Sequence, residues 1–546
     1  MSKAEEIINL HNHEETKVMN FRTLCQQVAD LMYPSNNDIT IIKSPGTDLY
    51  QDIRDPTALF ALDKATAGYI ANWIPKDRLF CGIRMLDRQV AETEKAKRWT
   101  ALATQILHDE IFSSNYMQQL QQSVKSLLAF GPCCSFSEYS PILRSLNFKN
   151  WHISSYVFKE NSRGVPDCVS IKFTKTARQA CEEFKNPGEK VLDAANDLKT
   201  ESKPFTFIHI VRPRIRRNRW LIDDLNKPYE SLVVNVDEKI VVEESGFEEQ
   251  PFTIARWEQS TDKFGRGRGM AMLTLTKVLQ QLHKDLLEMG NRFNRFPMEV
   301  VRDNLENDEV DLSPDAKTYV TQTGSIVPIA NGVTGNFPVT KDILIMYQDM
   351  IKNEGFYNAI FSQFMSMMGD RRNELELELR NQEGFDQLVS SVSNVESEFF
   401  TPQLTRCVLA LLRNTRNGQY IIPPPPPELN GQAFGIEYMG KLAMAAKQYQ
   451  ARGFMQFSQF VLNFKDVYPN AVDEINMGRT IPDVALAMGM KVEHLNTPEE
   501  KEALMAQRAE QEQMAMQMAQ MEAESKAYKN TQGAPEKGSP AEQMAQ

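Results

Sequence analysis

Five arginines fall within eight residues at Arg212, Arg214, Arg216, Arg217 and Arg219, and a further pair, Arg371 and Arg372, follows Gly369-Asp370. A guanidinium fork matches phosphate and carboxylate equally well. The first run therefore reads either as a nucleic-acid contact or, because it follows a strand pattern and contains Pro213, as a salt-bridged edge between subunits. The Arg371-Arg372 pair opens a helix and has the same two readings. Either it touches phosphates through weak, salt-screened contacts, or it pairs with Glu374 and Glu376 or a neighbouring subunit. Gly265, Gly267 and Gly269 precede a helix, an arrangement that can cradle phosphate. No Lys-Ser or Lys-Thr follows at Walker spacing and no βαβ pattern surrounds them, so a hinge is expected.

Other chemistry is sparse. His11-x-His13 is the one close histidine pair, and its acidic helix is expected to face solvent. The seven cysteines include no CxxC pair and read as reduced, mostly buried thiols. Glu374, Glu376 and Glu378 alternate around a helix as a solvated face. No HExxH, GxSxG or paired-carboxylate constellation is present. No catalytic residue, metal site or cofactor is assigned.

The elements that must position these residues lie in a chain of 546 residues with a net charge of −11 and a pI near 5.4. A protein that grips DNA presents a basic face. This balance argues against a repressor or a nuclease. The hydrophobic content of 42 % is that of a soluble protein. No apolar run reaches the roughly 20 residues of a spanning helix, and Met1-Ser-Lys-Ala-Glu-Glu lacks a signal core. Synthesis in the host cytoplasm, without a membrane partner, is expected.

Residues 1–260 read as a body, with helices near 4–33, 56–74, 91–110 and 114–130. Strands at Cys168–Phe173, Phe205–Val211 and Ser231–Val236 follow, interrupted by a helix near Ala177–Phe184. This is an α+β body in a mainly helical chain. Within 261–296, Met272, Leu275, Leu279, Leu282, Leu286, Met289 and Phe293 form an apolar stripe at helical spacing. Lys277, Lys284 and Arg292 stand on the other face. A second amphipathic helix spans 339–364, with Thr340 as N-cap. The two are roughly 36 and 38 Å long, as an antiparallel hairpin requires. Strand-like segments occur between them at Met298–Arg302, Thr318–Thr321 and Ser325–Ile329, within 297–338. Residues 365–373 form a loop, and 374–415 a long helix that Pro402 kinks or restarts. Pro423–Pro427 forms a polyproline II rod of roughly 15 Å, followed by a strand and an Ala/Met-rich helix within 416–496. The tail, 497–546, favours helix as far as Tyr528, with Met514, Met518 and Met521 as a thin stripe. Disorder is expected beyond it.

The proline run, with the long helix before it and the strand and Ala/Met helix after it, resembles the portal, or head-to-tail connector, proteins of short-tailed bacteriophages. So do Asp55–Pro75, Ser113–Tyr116, Trp257 with Asp262–Gly269, and Asp370–Glu374, in that order. The resemblance covers most of 20–495. It implies a portal fold with wing, paired-helix stem, β-containing clip and helical crown. It also implies a non-enzymatic dodecameric ring, about twelve copies, at one capsid vertex of the virion. Double-stranded DNA would pass through the bore for packaging and ejection.

The clip, with Arg302, Asp303, Glu306, Asp308 and Lys317, would dock the large terminase subunit and the tail adaptor. Met367, Met368, Arg371 and Arg372 would form a tunnel loop facing the bore. Lys277, Leu282, Lys284 and Arg292 would belong to the stem, and the major capsid and scaffolding proteins would be neighbours. A bore just wider than a duplex of about 20 Å, walled by helices about 10 Å across, holds about eleven or twelve of them. The alternative is a scaffold or adaptor protein of the phage head or tail that has no bore. A nucleic-acid enzyme such as the packaging motor is disfavoured by the missing Walker motif.

Overall fold

The structure is a computed structural model. It describes residues 2–300 apart from 76–78, 92, 219, 222 and 295–297, together with 322, 326–328, 337–356, 393–429, 431–438 and 498–530. The chain divides into two compact units, Met1–Leu442 and Ala443–Gln546. Both helix and strand are abundant, and the class is α+β.

The first unit opens with α1 (Lys3–Met32), capped by a Ser2/Glu5 capping box. Helices α2 (Thr57–Trp73), α3 (Arg88–Ala91), α4 (Glu94–Ser113) and α5 (Tyr116–Phe130) follow, with strand β1 (Cys81–Met85) among them. Three strands, β2 (Pro132–Ser140), β3 (Ser145–Trp151) and β9 (Phe252–Arg256), form one sheet in the order β3-β2-β9. The second sheet is an antiparallel meander of β4 (Tyr156–Glu160), β5 (Pro166–Thr176), β6 (Pro204–Pro213), β7 (Tyr229–Asn235) and β8 (Ile240–Phe247).

Period-two alternation sets the faces of this meander. Phe205 and Phe207 of β6 pack on α6 (Ala177–Glu183) and α7 (Glu189–Asn196). Ile208 and Ile210 pack on Ala4 and Ile7 of α1. Helix α7 was not legible in the sequence, whereas α6 lies where it was expected. The histidine expectation needs correction. His13 is exposed, but His11 is fully buried, with Nδ1 2.8 Å from Ser170 Oγ. The α1 face that meets the meander includes it, and burial holds its pKa down to about 4.

The glycine-rich stretch is a packed crossing. A Cβ on Gly267 would lie 2.6 Å from the Gly131 nitrogen and 2.8 Å from the Leu128 carbonyl oxygen. Gly131 itself ends α5 at φ 104° and accepts a hydrogen bond from Trp257 N–H at 2.8 Å. Glycine is needed there for close backbone approach, so the segment is no free hinge.

The following helix, α8 (Arg268–Asn294), leads to a two-stranded antiparallel pair, β10 (Met298–Val300) with β11 (Ile326–Pro328), and then to α9 (Phe337–Asp349). Helix α9 starts three residues before Thr340, which therefore lies inside it and is not its cap. Pro338 falls in the first turn, where its missing N–H costs nothing. A π-helical turn, Met350–Gly355, follows directly. A second π turn, Glu396–Phe400, runs without a break into α10 (Thr401–Arg413), with Pro402 in its first α-helical turn.

The proline run is shorter as a rod than expected, because Pro427 begins a 3-10 turn through Leu429. Trp99 Nε1–H donates to the Pro423 carbonyl at 2.9 Å, and Lys95 pairs with Glu428 at 2.6 Å, so the run lies along α4. After a small hairpin, β12 (Thr415–Arg416) with β13 (Gln419–Tyr420), and the prolines, β14 (Phe434–Tyr438) returns to pair with β1. In the second unit the described element is α11 (Pro498–Asn530), on which Met514 and Met518 are exposed.

Candidate functional site

Two polar knots organise the region around α8 and α9. The first centres on Asp55, which is 2 % exposed just before α2. Its Oδ1 accepts the Thr57 N–H at 2.8 Å, and its Oδ2 accepts from Gln348 Nε2 of α9 at 2.7 Å. Gln280 of α8 closes the knot. Its Oε1 accepts from the backbone N–H of Arg54 and Asp55, and its Nε2 donates to the Asp55 carbonyl at 2.6 Å. His283 Nδ1 stands 3.7 Å from Asp55 Oδ2. Gln280 and Gln348 lie about 21 Å from the C-terminal end of α8 and about 17 Å from the N-terminal end of α9, respectively. One buried residue, Asp55, thus ties points on two paired helices to the body, holding α8 through its backbone and α9 through its carboxylate. Sequence reasoning took Asp55 only as part of a longer motif; the signal was a carboxylate two residues before a helix start.

The second knot centres on Arg256 of β9, whose side chain is 7 % exposed. Its Nε and backbone N–H donate to Glu398 Oε2 at 3.1 and 2.9 Å, its Nη2 donates to Glu398 Oε1, and its Nη1 pairs with Glu160. The π turn that carries Glu398 is thereby clamped to the body. Charged groups this far from water persist only with such bidentate partners.

The expected stem residues fall differently. Leu282 is half-buried. Lys277 is exposed, but its Nζ donates to Gln27 Oε1 of α1 at 2.7 Å, so it faces the body. Lys284 is exposed and 3.7 Å from Glu288. Arg292 lies within α8, and its side chain is outside the described residues. Also outside them are the tunnel-loop residues Met367, Met368, Arg371 and Arg372, the clip residues Arg302, Asp303, Glu306, Asp308 and Lys317, and Glu374, Glu376 and Glu378. In the arginine-rich run, Arg212 pairs with Glu6 and Glu230, both at 2.9 Å, and Arg214 Nη2 donates to the Ser245 carbonyl at 3.3 Å.

Covalent chemistry has little support. Six of the seven cysteines are buried and none is bonded to another. Burial pushes the Cys407 thiol up to about 12 and the Cys25, Cys81 and Cys133 thiols higher still, away from the nucleophilic thiolate. Among the described residues no His, Cys, Asp or Glu group is arranged to hold a metal, and no helix is long and apolar enough to cross a membrane.

The polar groups here bind helices to the body; they do not converge on a reacting atom. Comparison with known proteins agrees with this structural character. The chain is 23 % identical over 482 residues to the portal protein of Salmonella phage epsilon15, an overlap that covers 86 % of this chain and 84 % of that protein. It is 21 % identical over 508 residues to a probable portal protein of Bordetella phage BPP-1, covering 90 % and 89 %. The profile of the family described as bacteriophage head to tail connecting protein matches residues 4–495. The chain belongs to this portal, or head-to-tail connector, family, whose members are structural proteins of the virion's portal vertex.

Proposed function

We propose that copies of this chain close into a ring of about twelve at one capsid vertex, and that double-stranded DNA enters and leaves through the bore. The observation that carries this reading is the family match over residues 4–495, nearly the whole chain. The paired helices α8 and α9, joined through the β10–β11 pair and held by Asp55, support it. A helix pair ending in a small β tip is the shape expected of a stem with its clip. On this reading 297–338 docks the terminase large subunit and then the tail adaptor. The 365–373 loop, with Met367, Met368, Arg371 and Arg372, faces the DNA. The major capsid and scaffolding proteins surround the ring.

Lys277 is held against α1, so the exposed Lys284 is the cation of the distal half of α8, among the described side chains, that would face the bore or a neighbouring subunit. Images of the purified chain test the reading. Closed rings with a central hole slightly wider than a duplex are expected; compact particles or rods without a hole would replace it with a scaffold or adaptor role.

A further inference from the structure

The five-stranded meander presents contrasting surfaces at its two ends. At one end the β6–β7 connection, 214–228, exposes Ile215 at 96 % and Trp220 at 92 %. Five arginines and one lysine stand against two aspartates between 212 and 228. Arg212 and Arg214 are engaged within the subunit, but Arg216 and Arg217 are exposed and form no ion pair among the described residues. At the other end, where α6 and α7 connect β5 to β6, Leu198 is 86 % exposed and Leu192 of α7 is also exposed. Glu189, Asp193, Asp197 and Glu201 recur there every fourth residue, against Lys190 and Lys199. Glu189, Asp193 and Glu201 form no ion pair among the described residues.

Two large apolar side chains this exposed signal a covering partner. Trp beside Arg is the usual composition of an interface hot spot. The outside of a DNA duplex is phosphate and would leave Ile215 and Trp220 uncovered, which favours a protein. The α7 end offers what the loop lacks, exposed leucines rimmed by carboxylates. Strand β6 is ten residues long and separates the two ends by about 30 Å, so they cannot meet within one copy.

We infer that the β6–β7 loop of one copy docks on the α7 end of the next, with Trp220 and Ile215 against Leu192 and Leu198, and Arg216 and Arg217 against Asp193 and Asp197. Two different patches at opposite ends of one sheet make a head-to-tail contact, the kind that closes into a ring. The inference rests on the ring reading above and adds the surfaces that would join its subunits.

A charge swap tests it with the full-length chain. R216D/R217D alone, or D193R/D197R alone, should raise the concentration needed for half-assembly by about tenfold or more, as like charges face each other. The melting temperature of the unassembled chain should stay unchanged. Combining all four changes should restore assembly, which a merely misfolded surface would not do. If the parent forms rings and the single-side variants assemble equally well, or if the combined variant fails to recover, this contact is wrong and the ring reading stands. If R216D/R217D assembles normally but loses affinity for duplex DNA, the loop serves a polyanion and the contact is likewise overturned. If the parent forms no rings at any concentration, the ring reading fails and this inference with it.

Discussion

Helix α8 changes character along its length. From Arg268 to Gln280 it belongs to the body. Gly269 presses on Ala129 of α5, Leu273, Thr276 and Leu279 are buried, and Gln280 is spent on Asp55. From Gln281 onward no described side chain is fully buried, Leu287 is 53 % exposed, and Leu282, Leu286 and Met289 are only half-covered by the chain itself. Both halves have the same helical period. What differs is the covering. The first half is determined by contacts within one chain. The second keeps an apolar stripe wider than α9 covers, which fits a helix completed by a neighbouring copy. The body should therefore fail by unfolding, and the distal half of α8 by failing to assemble.

The largest effect is expected in the body. Arg256→Ala would leave Glu398 and Glu160 as partly buried carboxylates without their cation, and would free the π turn from β9. Loss of one partner from such a network costs about 3–5 kcal/mol. Urea denaturation of the purified variant should show this as a lowered midpoint. A change below about 1 kcal/mol would mean that the clamp adds nothing net and that the body is held by its apolar core alone.

A smaller effect on folding, with a larger effect on assembly, is expected in the distal half. Leu282 is half-buried in the single chain, so Leu282→Asp should destabilise the subunit by only about 1–2 kcal/mol. If a neighbouring copy completes the stripe, the same charge lies in a dry seam of the ring, and sedimentation should show monomers or aggregates. Normal rings from this variant would erase the contrast between the two halves.

These halves also show what was legible in the sequence and what was not. The stripe from Met272 to Phe293 placed the helix, its length and its amphipathic character. It did not give the buried flank. The body covers Leu273, Thr276 and Gln280 beside Leu279, because α1 and α5 approach from that side. Periodicity fixes that a helix has a face, but the neighbours decide its edges.

Likewise the three central strands of the meander were legible in the sequence, while its edge strands Tyr156–Glu160 and Ile240–Phe247 were not, nor was the pairing of Cys81–Met85 with Phe434–Tyr438, since nothing local links segments so far apart. Asp55 with Gln348, and Arg256 with Glu398, were invisible for the same reason. His11 departs from the expectation because a helix rich in acidic residues still buries one face. Its buried stripe of Ile7, His11, Glu14 and Val18 mixes polar and apolar residues: Glu14 accepts from Lys263, and His11 Nδ1 meets Ser170 of the meander while its Nε2 has no hydrogen-bond partner among the described residues.

Acid should act first on the body, with an effect that vanishes at neutral pH. His209 of β6 lies inside, its Nε2 2.9 Å from Ser231 Oγ, and burial lowers its pKa to about 4. His11 is lowered to about the same value, by burial first and by Lys172 and Arg22 next, against the opposing pull of Glu15. Both stay neutral in the fold while the unfolded chain takes up protons below about 6.5. The unfolded state then binds more protons, so stability falls as pH drops from about 6.5 towards 4, by up to about 1.4 kcal/mol per pH unit for each histidine.

Glu14 adds a second window of the same sign. Burial works to raise its pKa, but Lys263 and Lys17 outweigh that and hold it down to about 2, so its contribution is present above about 4.5 and is lost as pH falls towards 2. His209→Gln keeps a hydrogen-bonding side chain and cannot titrate. Melting curves between pH 7 and 4 should show a shallower loss for this variant than for the parent, with equal slopes above pH 7. None of these groups lies in the distal half of α8, so between pH 7 and about 5, above the ordinary carboxylate range, any assembly defect should follow the loss of the body and not precede it. Rings that come apart at a pH where the body still melts as it does at neutrality would place a titrating group at the interface between copies, and the contrast between the two halves would have to be redrawn around that group.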